Sequence, residues 1–189
     1  MHHIIYLHGF LSSPLSVKAQ ITKNFLKKHY PSVNFHCLQL SGNIYQTRRQ
    51  VDALVSTIPQ DELRFIGSSM GGFLSTYALE KYGGKAVLIN PAVKPHELLV
   101  EYLGMHVNPY SGERFFIHTE HLNALQDIAQ CIIKQPDKYM VLLQTGDATL
   151  DYRQAREKYA LSHLHIEEGG DHSFVDYEMW LPKIIDFLW

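Results

Sequence analysis

One pentapeptide places a serine among small residues directly after an apolar run. Gly67-Ser68-Ser69-Met70-Gly71 fits the pattern Gly-x-Ser-x-Gly, and only Ser69 occupies its central position. In this pattern the serine stands on a sharp turn from a strand into a helix, and small neighbours leave room for the backbone. The pentapeptide alone is weak evidence for a nucleophile. The apolar run before it and the helical pattern after it, however, supply the strand and helix that this turn requires. Ser69 is therefore a candidate nucleophile.

Two later polar residues are placed to activate the Ser69 hydroxyl. A serine needs a base to remove its proton, and the base needs an acid to orient it. Asp147 follows an apolar run at 139–144, and His172 follows another at 164–167. We predict that His172 is the general base and that Asp147 orients it.

Other polar residues near these positions have simpler interpretations. Asp151 competes with Asp147 as the acid, but Gln154 three residues later makes it a typical helix N-cap. Asp171 abuts the histidine, and Asp176 fits the cap of the last helix. His8 precedes all the other candidate residues, which is the wrong chain order for the base, so we expect it to shape a neighbouring loop.

Acyl transfer also needs backbone N–H groups aimed at the oxygen on which negative charge develops. One donor is expected from Met70, the residue after the candidate nucleophile. The other is expected from the loop after the first strand, at Phe10, with Leu11 as the neighbouring alternative.

Short apolar runs alternate with longer amphipathic ones, and this rhythm predicts an α/β fold. The predicted strands cover residues 4–7, 33–38, 63–66, 86–89, 139–144 and 164–167. The predicted helices cover residues 15–29, 44–58, 70–82, 95–103, 119–134, 152–160 and 177–188. The alternation predicts a mostly parallel sheet of about six strands with helices on both faces. Ligands bind beyond the carboxyl ends of such strands, where the three candidate residues fall.

The segment 91–136 interrupts this rhythm and carries four of the prolines. It shows no convincing strand, so we interpret it as a short helical, cap-like insertion over the strand ends. Tyr102 and Phe115 are candidates to line a substrate pocket, and the alternative is that they pack the insertion onto the sheet.

Composition narrows the class of protein further. A chain of 189 residues with a formal net charge of −2 fits one domain, 1–189, and no nucleic-acid partner. The apolar runs are too short for a membrane span, and no secretory signal is apparent. Cys37 and Cys131 are expected to be reduced and structural, as in a cytoplasmic protein. The oligomeric state stays open.

Histidine is abundant, with 12 residues, but no metal site is predicted. His118 and His121 have a spacing that would place both on one face of a helix. No cysteine or carboxylate pattern completes a zinc site around them.

Taken together, these motifs resemble the small bacterial YqiA-type esterases of the α/β-hydrolase superfamily. The resemblance runs essentially from end to end and rests on YLHGF with SSP (6–14), GSSMGG (67–72), NPAV (90–93), QTGD with LDYR (144–153) and EGGDHSF (168–174). It implies a compact α/β-hydrolase fold that lacks the first strands of the full superfamily sheet. It also implies carboxylesterase activity that extends to acyl thioesters, no cofactor, and the triad Ser69, Asp147 and His172. Asp171 stands where some relatives are expected to carry Asn, and a carboxylate beside the base would raise the pKa of that base.

The resulting hypothesis is a serine carboxylesterase for small-molecule acyl esters or thioesters of short to medium chain length. Two alternatives remain at this point. An amidase or peptidase would use the same triad on a different bond, and a non-catalytic binding protein would keep the fold without the chemistry.

Overall fold

A computed structural model of the chain describes residues 2–129 and 132–189. The strands of the main sheet are β1 (His3–Leu7), β2 (Asn34–His36), β3 (Leu63–Ser68), β4 (Lys85–Ile89), β7 (Tyr139–Gln144) and β8 (His163–Glu167). They pair in parallel in the order β2-β1-β3-β4-β7-β8. A separate antiparallel hairpin consists of β5 (Gly104–Val107) and β6 (Arg114–Ile117).

Helices cover both faces of the main sheet. They are α1 (Val17–His29), α2 (Ile44–Val55), α3 (Met70–Tyr82), α4 (Pro95–Leu98), α5 (Thr119–Asp127), α6 (Tyr152–Lys158) and α7 (Tyr177–Leu188). Short 3₁₀ turns lie at Gln60–Glu62, Leu99–Tyr102 and Pro136–Lys138. The predicted parallel six-stranded α/β sheet with helices on both faces is therefore confirmed.

The apolar strands form two cores because successive side chains point to opposite faces of a sheet. In β1, Ile4 and Tyr6 join one core, which α1 and α7 cover. Ile5 and Leu7 join the other, which includes residues of α2, α3, α5 and α6. All these strand side chains are buried, which explains their continuous apolar sequence.

The segment 91–136 differs from its prediction, because the hairpin β5–β6 lies between its two helical pieces, where no strand was predicted. The side chain of Asn108 closes the hairpin turn, since its Oδ1 accepts from the N–H groups of Tyr110 (2.9 Å) and Ser111 (3.1 Å). The predicted helix at 95–103 is only α4 followed by a 3₁₀ turn, and the predicted helix at 119–134 ends at Asp127.

Of the two cysteines that the sequence predicts to be reduced, the structure describes Cys37. Cys37 is a free, partly buried thiol, and burial raises its pKa to about 12, so it is protonated at neutral pH. Cys131 lies outside the described residues. None of the helices in the described part of the chain combines the length and apolar character that a membrane span requires.

Candidate active site

Ser69 lies on the tight turn between β3 and α3. Its φ of 56° is in the left-handed region, which is unfavourable for a residue with a side chain. Neighbouring backbone holds it there: its N–H donates to the Ile89 carbonyl (3.0 Å), and its carbonyl accepts from the Ala92 N–H (3.0 Å). The turn projects the hydroxyl at the carboxyl edge of the sheet.

The glycines around Ser69 are required by close packing. A Cβ on Gly71 would lie 1.8 Å from the Leu7 carbonyl oxygen, and one on Gly67 would lie 2.2 Å from the Gly71 carbonyl oxygen. Both distances are far below contact, so any side chain there would force β1, β3 and α3 apart. The predicted need for small residues in this turn is explained by these contacts.

The strained backbone at Ser69 leads to a prediction about stability. Ser69→Gly and Ser69→Ala both remove the hydroxyl, but only alanine retains a Cβ at the unfavourable φ. We expect the free energy of unfolding of the glycine variant to be about 1 kcal/mol higher than that of the alanine variant. Urea denaturation of the two variants measures this difference. Equal stability, or a more stable alanine variant, would show that the turn carries no strain.

The structure brings Ser69, His172 and Asp147 together from three separate loops. His172 Nε2 lies 3.1 Å from Ser69 Oγ, and His172 Nδ1 lies 2.7 Å from Asp147 Oδ2. A carboxylate can only accept a hydrogen bond, so Nδ1 carries the ring proton. The lone pair of Nε2 then faces the serine hydroxyl, as a general base requires.

Asp147 is the buried end of this chain, with a side chain only 1% exposed, whereas that of His172 is 32% exposed. Its other oxygen, Oδ1, accepts from the N–H groups of Thr149 (2.8 Å) and Leu150 (2.9 Å). Burial alone would raise the pKa of Asp147, but the hydrogen bonds from His172, Leu150 and Thr149 outweigh it and lower the pKa. Asp147 is therefore a fixed anion.

Hydrogen bonds between the loops after β7 and β8 bring the acid to the histidine. The Thr145 N–H donates to the Glu167 carbonyl (3.0 Å), and the Gly146 N–H donates to the Gly169 carbonyl (2.7 Å). A Cβ on Gly146 would lie 2.3 Å from the Gly170 carbonyl oxygen, so this approach requires glycine.

The predicted oxyanion donors belong to Met70, next to Ser69 in the chain, and to Phe10 in the loop after β1. The loop after β1 passes close to Ser69, because a Cβ on Gly9 would lie 3.5 Å from Ser69 Cβ. Within the described residues, the N–H groups of Phe10 and Met70 have no hydrogen-bond acceptor. Both are therefore available to an incoming oxygen. Leu11, the alternative donor, has a φ of 52°.

His8 supports this loop and takes no part in the triad. It is buried, its Nε2 accepts from the Leu40 N–H (3.1 Å), and its Nδ1 donates to the Gly9 carbonyl (2.9 Å). These roles require the neutral ring, and burial lowers its pKa although the bond to Gly9 favours the charged form. The sequence prediction that His8 shapes the loop agrees with this arrangement.

The competing acids lie in other local structures. Asp151 caps α6, where its Oδ1 accepts from the Arg153 N–H (3.0 Å). Asp171 accepts from the N–H of Ser173 (2.8 Å) and from its hydroxyl (2.5 Å). Asp176 stands at the N-cap of α7 as predicted, but its side chain makes no capping hydrogen bond.

The histidine pair that raised the metal hypothesis has a structural role. His121 Nδ1 accepts from the His118 N–H (3.0 Å) at the start of α5, and its Nε2 lies 3.3 Å from the side-chain nitrogen of Asn43. Among the described residues, no cluster of three or more His, Cys, Asp or Glu side chains is suited to a metal ion.

An open cleft of about 840 Å³ runs past Ser69 and His172. Tyr102 lies on its wall and packs edge-on against Phe10, with ring centroids 5.5 Å apart. Phe115 does not line the cleft, which corrects the sequence expectation. It is buried behind the Phe10 loop and fills the space beside Gly42, where a Cβ would lie 2.3 Å from its ring.

The family of the chain follows from a comparison over nearly its whole length. Residues 3–189 match the sequence model of the family described as "Uncharacterised protein family (UPF0227)". The chain belongs to the UPF0227 family. The resemblance drawn from the sequence motifs is thereby confirmed for the family.

Solved structures similar to this UPF0227 protein share the α/β-hydrolase fold. Est1E from Butyrivibrio proteoclasticus, with ferulic acid bound, is 13% identical with a TM-score of 0.70, over 99% of this chain and 88% of its own. The methylesterase MES16 from Arabidopsis is 16% identical with a TM-score of 0.67, over 100% of both chains. Alpha/beta hydrolase domain-containing protein 10 from mouse is 16% identical with a TM-score of 0.66, over 97% of this chain and 88% of its own. At these identities the likeness establishes the fold alone.

Sequence reasoning did not single out three polar residues of the UPF0227 site. Asn90 and Gln144 are buried at the carboxyl ends of β4 and β7, and both bind the loop that carries His172. Lys18 of α1 donates to the Ser173 carbonyl (2.7 Å) from the cleft side. The sequence signal that could have identified Asn90 and Gln144 is an amide side chain directly at the end of a buried apolar strand.

Proposed function

We propose that this UPF0227 protein is a serine carboxylesterase that hydrolyses short- to medium-chain acyl esters and also acyl thioesters. One observation carries the proposal. A continuous hydrogen-bonded chain joins Ser69 Oγ to His172 (3.1 Å) and His172 to Asp147 (2.7 Å), and it opens onto a cleft. A buried acid, an imidazole and a hydroxyl in this order are the components of nucleophilic acyl transfer.

In the first step Ser69 Oγ attacks the carbonyl carbon of the substrate while its proton passes to His172 Nε2. The carbonyl π electrons move to the oxygen, and the N–H groups of Phe10 and Met70 stabilise the negative charge. Asp147 stabilises the imidazolium through the Nδ1 proton. The bond to the leaving oxygen or sulfur then breaks, and the leaving atom takes the proton from Nε2.

In the second step water hydrolyses the acyl-enzyme by the same route. His172 Nε2 removes a proton from the water, and the water oxygen bonds to the acyl carbon. The bond from that carbon to Ser69 Oγ breaks, and Oγ regains its proton from Nε2. The products are a carboxylic acid and free enzyme, so the reaction needs no cofactor.

The activity of one similar protein and the ligand of another support ester hydrolysis as the reaction class. MES16 is a methylesterase, and Est1E binds ferulic acid, a carboxylic acid. An ester-hydrolysing UPF0227 enzyme would release a product of the same chemical class. We propose a cytoplasmic location from the sequence, because the few cysteines are expected to be reduced.

The cleft suggests the size of the substrate. Tyr102, Phe10 and Phe174 contribute aromatic surface to the cleft that holds the candidate nucleophile. The cleft is open along its length, and with Phe115 buried elsewhere the insertion contributes little apolar surface to it. We therefore propose short to medium acyl chains, with Tyr102 in contact with the substrate.

A panel of chromogenic substrates tests the proposed reaction. We expect turnover of p-nitrophenyl esters from acetyl to octanoyl, turnover of the matching thioesters, and much slower cleavage of p-nitroanilides. Faster cleavage of the anilides than of the esters would indicate an amidase instead. Absence of turnover on every substrate in the panel would favour a binding protein that retains the fold.

A further inference from the structure

The strands on which the candidate site rests end in two buried side-chain amides. Asn90 directly follows β4 and is 2% exposed, and Gln144 is the last residue of β7 and is 3% exposed. The strands β4 and β7 are neighbours in the sheet, so the two residues lie side by side at its carboxyl edge. Burying a polar amide is costly unless its donors and acceptors are all paired, so their partners identify their role.

Asn90 bonds directly to the backbone of the candidate base. Its Nδ2 donates to the carbonyl oxygens of Asp171 (3.0 Å) and His172 (3.3 Å). Its Oδ1 accepts from the Gln144 N–H (3.0 Å). Both amide hydrogens are therefore used on the two peptide units that set the position of the imidazole.

Gln144 holds the loop on both sides of the histidine. Its Oε1 accepts from the N–H groups of Asp171 (3.2 Å) and Val175 (2.8 Å). Its Nε2 donates to the Val175 carbonyl (3.0 Å) and to the carboxylate of Glu167 (2.9 Å). The amide spans the loop from 171 to 175 and fixes its two ends at a constant separation.

Gly170 provides an independent sign that the loop is built around this amide. A Cβ at position 170 would lie 2.0 Å from Gln144 Oε1, and the φ of Gly170 is 70°. The backbone therefore approaches the amide more closely than any other residue type would allow.

The segment 89–92, which contains Asn90, also holds the turn that carries Ser69. The carbonyl of Ile89, which precedes Asn90, accepts from the Ser69 N–H (3.0 Å), and the Ala92 N–H donates to the Ser69 carbonyl (3.0 Å). Residues 89–92 thus bind the backbone of Ser69 through the main chain and the backbone of His172 through the Asn90 side chain. No other described segment binds the backbone of both residues.

We propose that Asn90 and Gln144 are positioning residues that set the distance between His172 Nε2 and Ser69 Oγ. This inference rests on the proposed function. Neither amide touches the reacting atoms. Each acts by fixing the peptide units around His172, because a fully paired buried network has only one low-energy arrangement. A misplacement of about 1 Å can cost roughly 100-fold in rate, so loss of either amide lowers kcat.

The test compares Asn90→Ala and Gln144→Met with wild type on p-nitrophenyl butyrate, with rates normalised to folded protein. Methionine keeps approximately the length of glutamine but cannot pair with the loop. We expect kcat to fall roughly 10- to 100-fold, with a smaller change in KM. We also expect the downfield proton NMR signal of His172 Nδ1–H, assigned by its loss in Asp147→Asn, to broaden or disappear in both variants.

Tyr139→Phe is the matched control because it acts at the opposite end of β7. It removes the hydrogen bond from the Tyr139 hydroxyl to Glu80 (2.8 Å), far from the carboxyl end of the strand. We expect it to lower stability while kcat and the downfield signal stay as in wild type.

The outcomes separate this inference from the proposed function. If folded Asn90→Ala and Gln144→Met keep kcat within about twofold of wild type, the amides have a structural role only and the inference is wrong. If neither variant folds, the amides are required for folding, and the inference is wrong in this case too. If Ser69→Ala, measured alongside, retains wild-type turnover, the proposed function itself fails.

Discussion

Replacement of Ser69 by alanine is expected to abolish ester hydrolysis while the protein stays folded. Without Oγ no acyl-enzyme can form, and the remaining groups can only bind the substrate and polarise its carbonyl. The expected loss in kcat is on the order of 10⁴- to 10⁶-fold. The only hydrogen bond recorded for Ser69 Oγ within the described residues joins it to His172, so the alanine variant should lose little stability.

The measurement is hydrolysis of p-nitrophenyl butyrate at matched folded concentration, verified by circular dichroism. Ser56→Ala is a suitable control because Ser56 lies exposed at the end of α2, away from the cleft. We expect this control to keep wild-type turnover. Substantial activity in Ser69→Ala would mean that hydrolysis proceeds without the proposed nucleophile.

The second large effect is expected for Asp147→Asn, with a loss in kcat of roughly 10⁴-fold. Asparagine can retain the Oδ1 bonds to Thr149 and Leu150, so the loop should keep its shape. Its amide nitrogen, however, would face His172 Nδ1 and donate to it. The ring proton would then move to Nε2, which could no longer accept the proton of Ser69.

Asp151→Asn is the control for this prediction, since it makes the same chemical change four residues away. Asparagine caps helices about as well as aspartate, so we expect little change in stability and turnover within about twofold of wild type. Steady-state kinetics of both variants decide between the two acids. A larger loss in Asp151→Asn than in Asp147→Asn would reverse the assignment of the acid.

The sequence predicted the main sheet because its central strands β1, β3, β4 and β7 are buried on both faces and therefore almost continuously apolar. The positions of Ser69, Asp147 and His172 followed from the same pattern, because the ends of parallel strands converge at one edge of the sheet. The chain order of the three residues and the glycines near them then distinguished them from the other candidate acids and histidines. The structure places His172 within hydrogen-bonding distance of both Ser69 and Asp147.

The hairpin and its packing could not be predicted, for identifiable physical reasons. Met105, Val107 and Phe116 are apolar but lie on the exposed face of the hairpin, so the positions of the apolar residues do not match the buried positions in either strand. Phe115 is buried because Gly42, distant in sequence, leaves space for its ring. Such contacts depend on tertiary packing and leave no local pattern.

The supporting amides were missed for a related reason. Asn90 and Gln144 begin two of the motifs that carry the family resemblance, but the sequence assigned no role to either side chain. Their importance arises from partners at 171–175, which local spacing cannot reveal.

The most direct test of the central claim is covalent labelling with a fluorophosphonate, followed by peptide mass spectrometry. A fluorophosphonate reacts rapidly with a serine whose hydroxyl is activated by a base. We expect one adduct per chain, located on Ser69, in wild type and none in His172→Ala. No adduct on folded wild-type protein, or an adduct on another residue, would contradict the proposal that Ser69 and His172 form a working nucleophile and base.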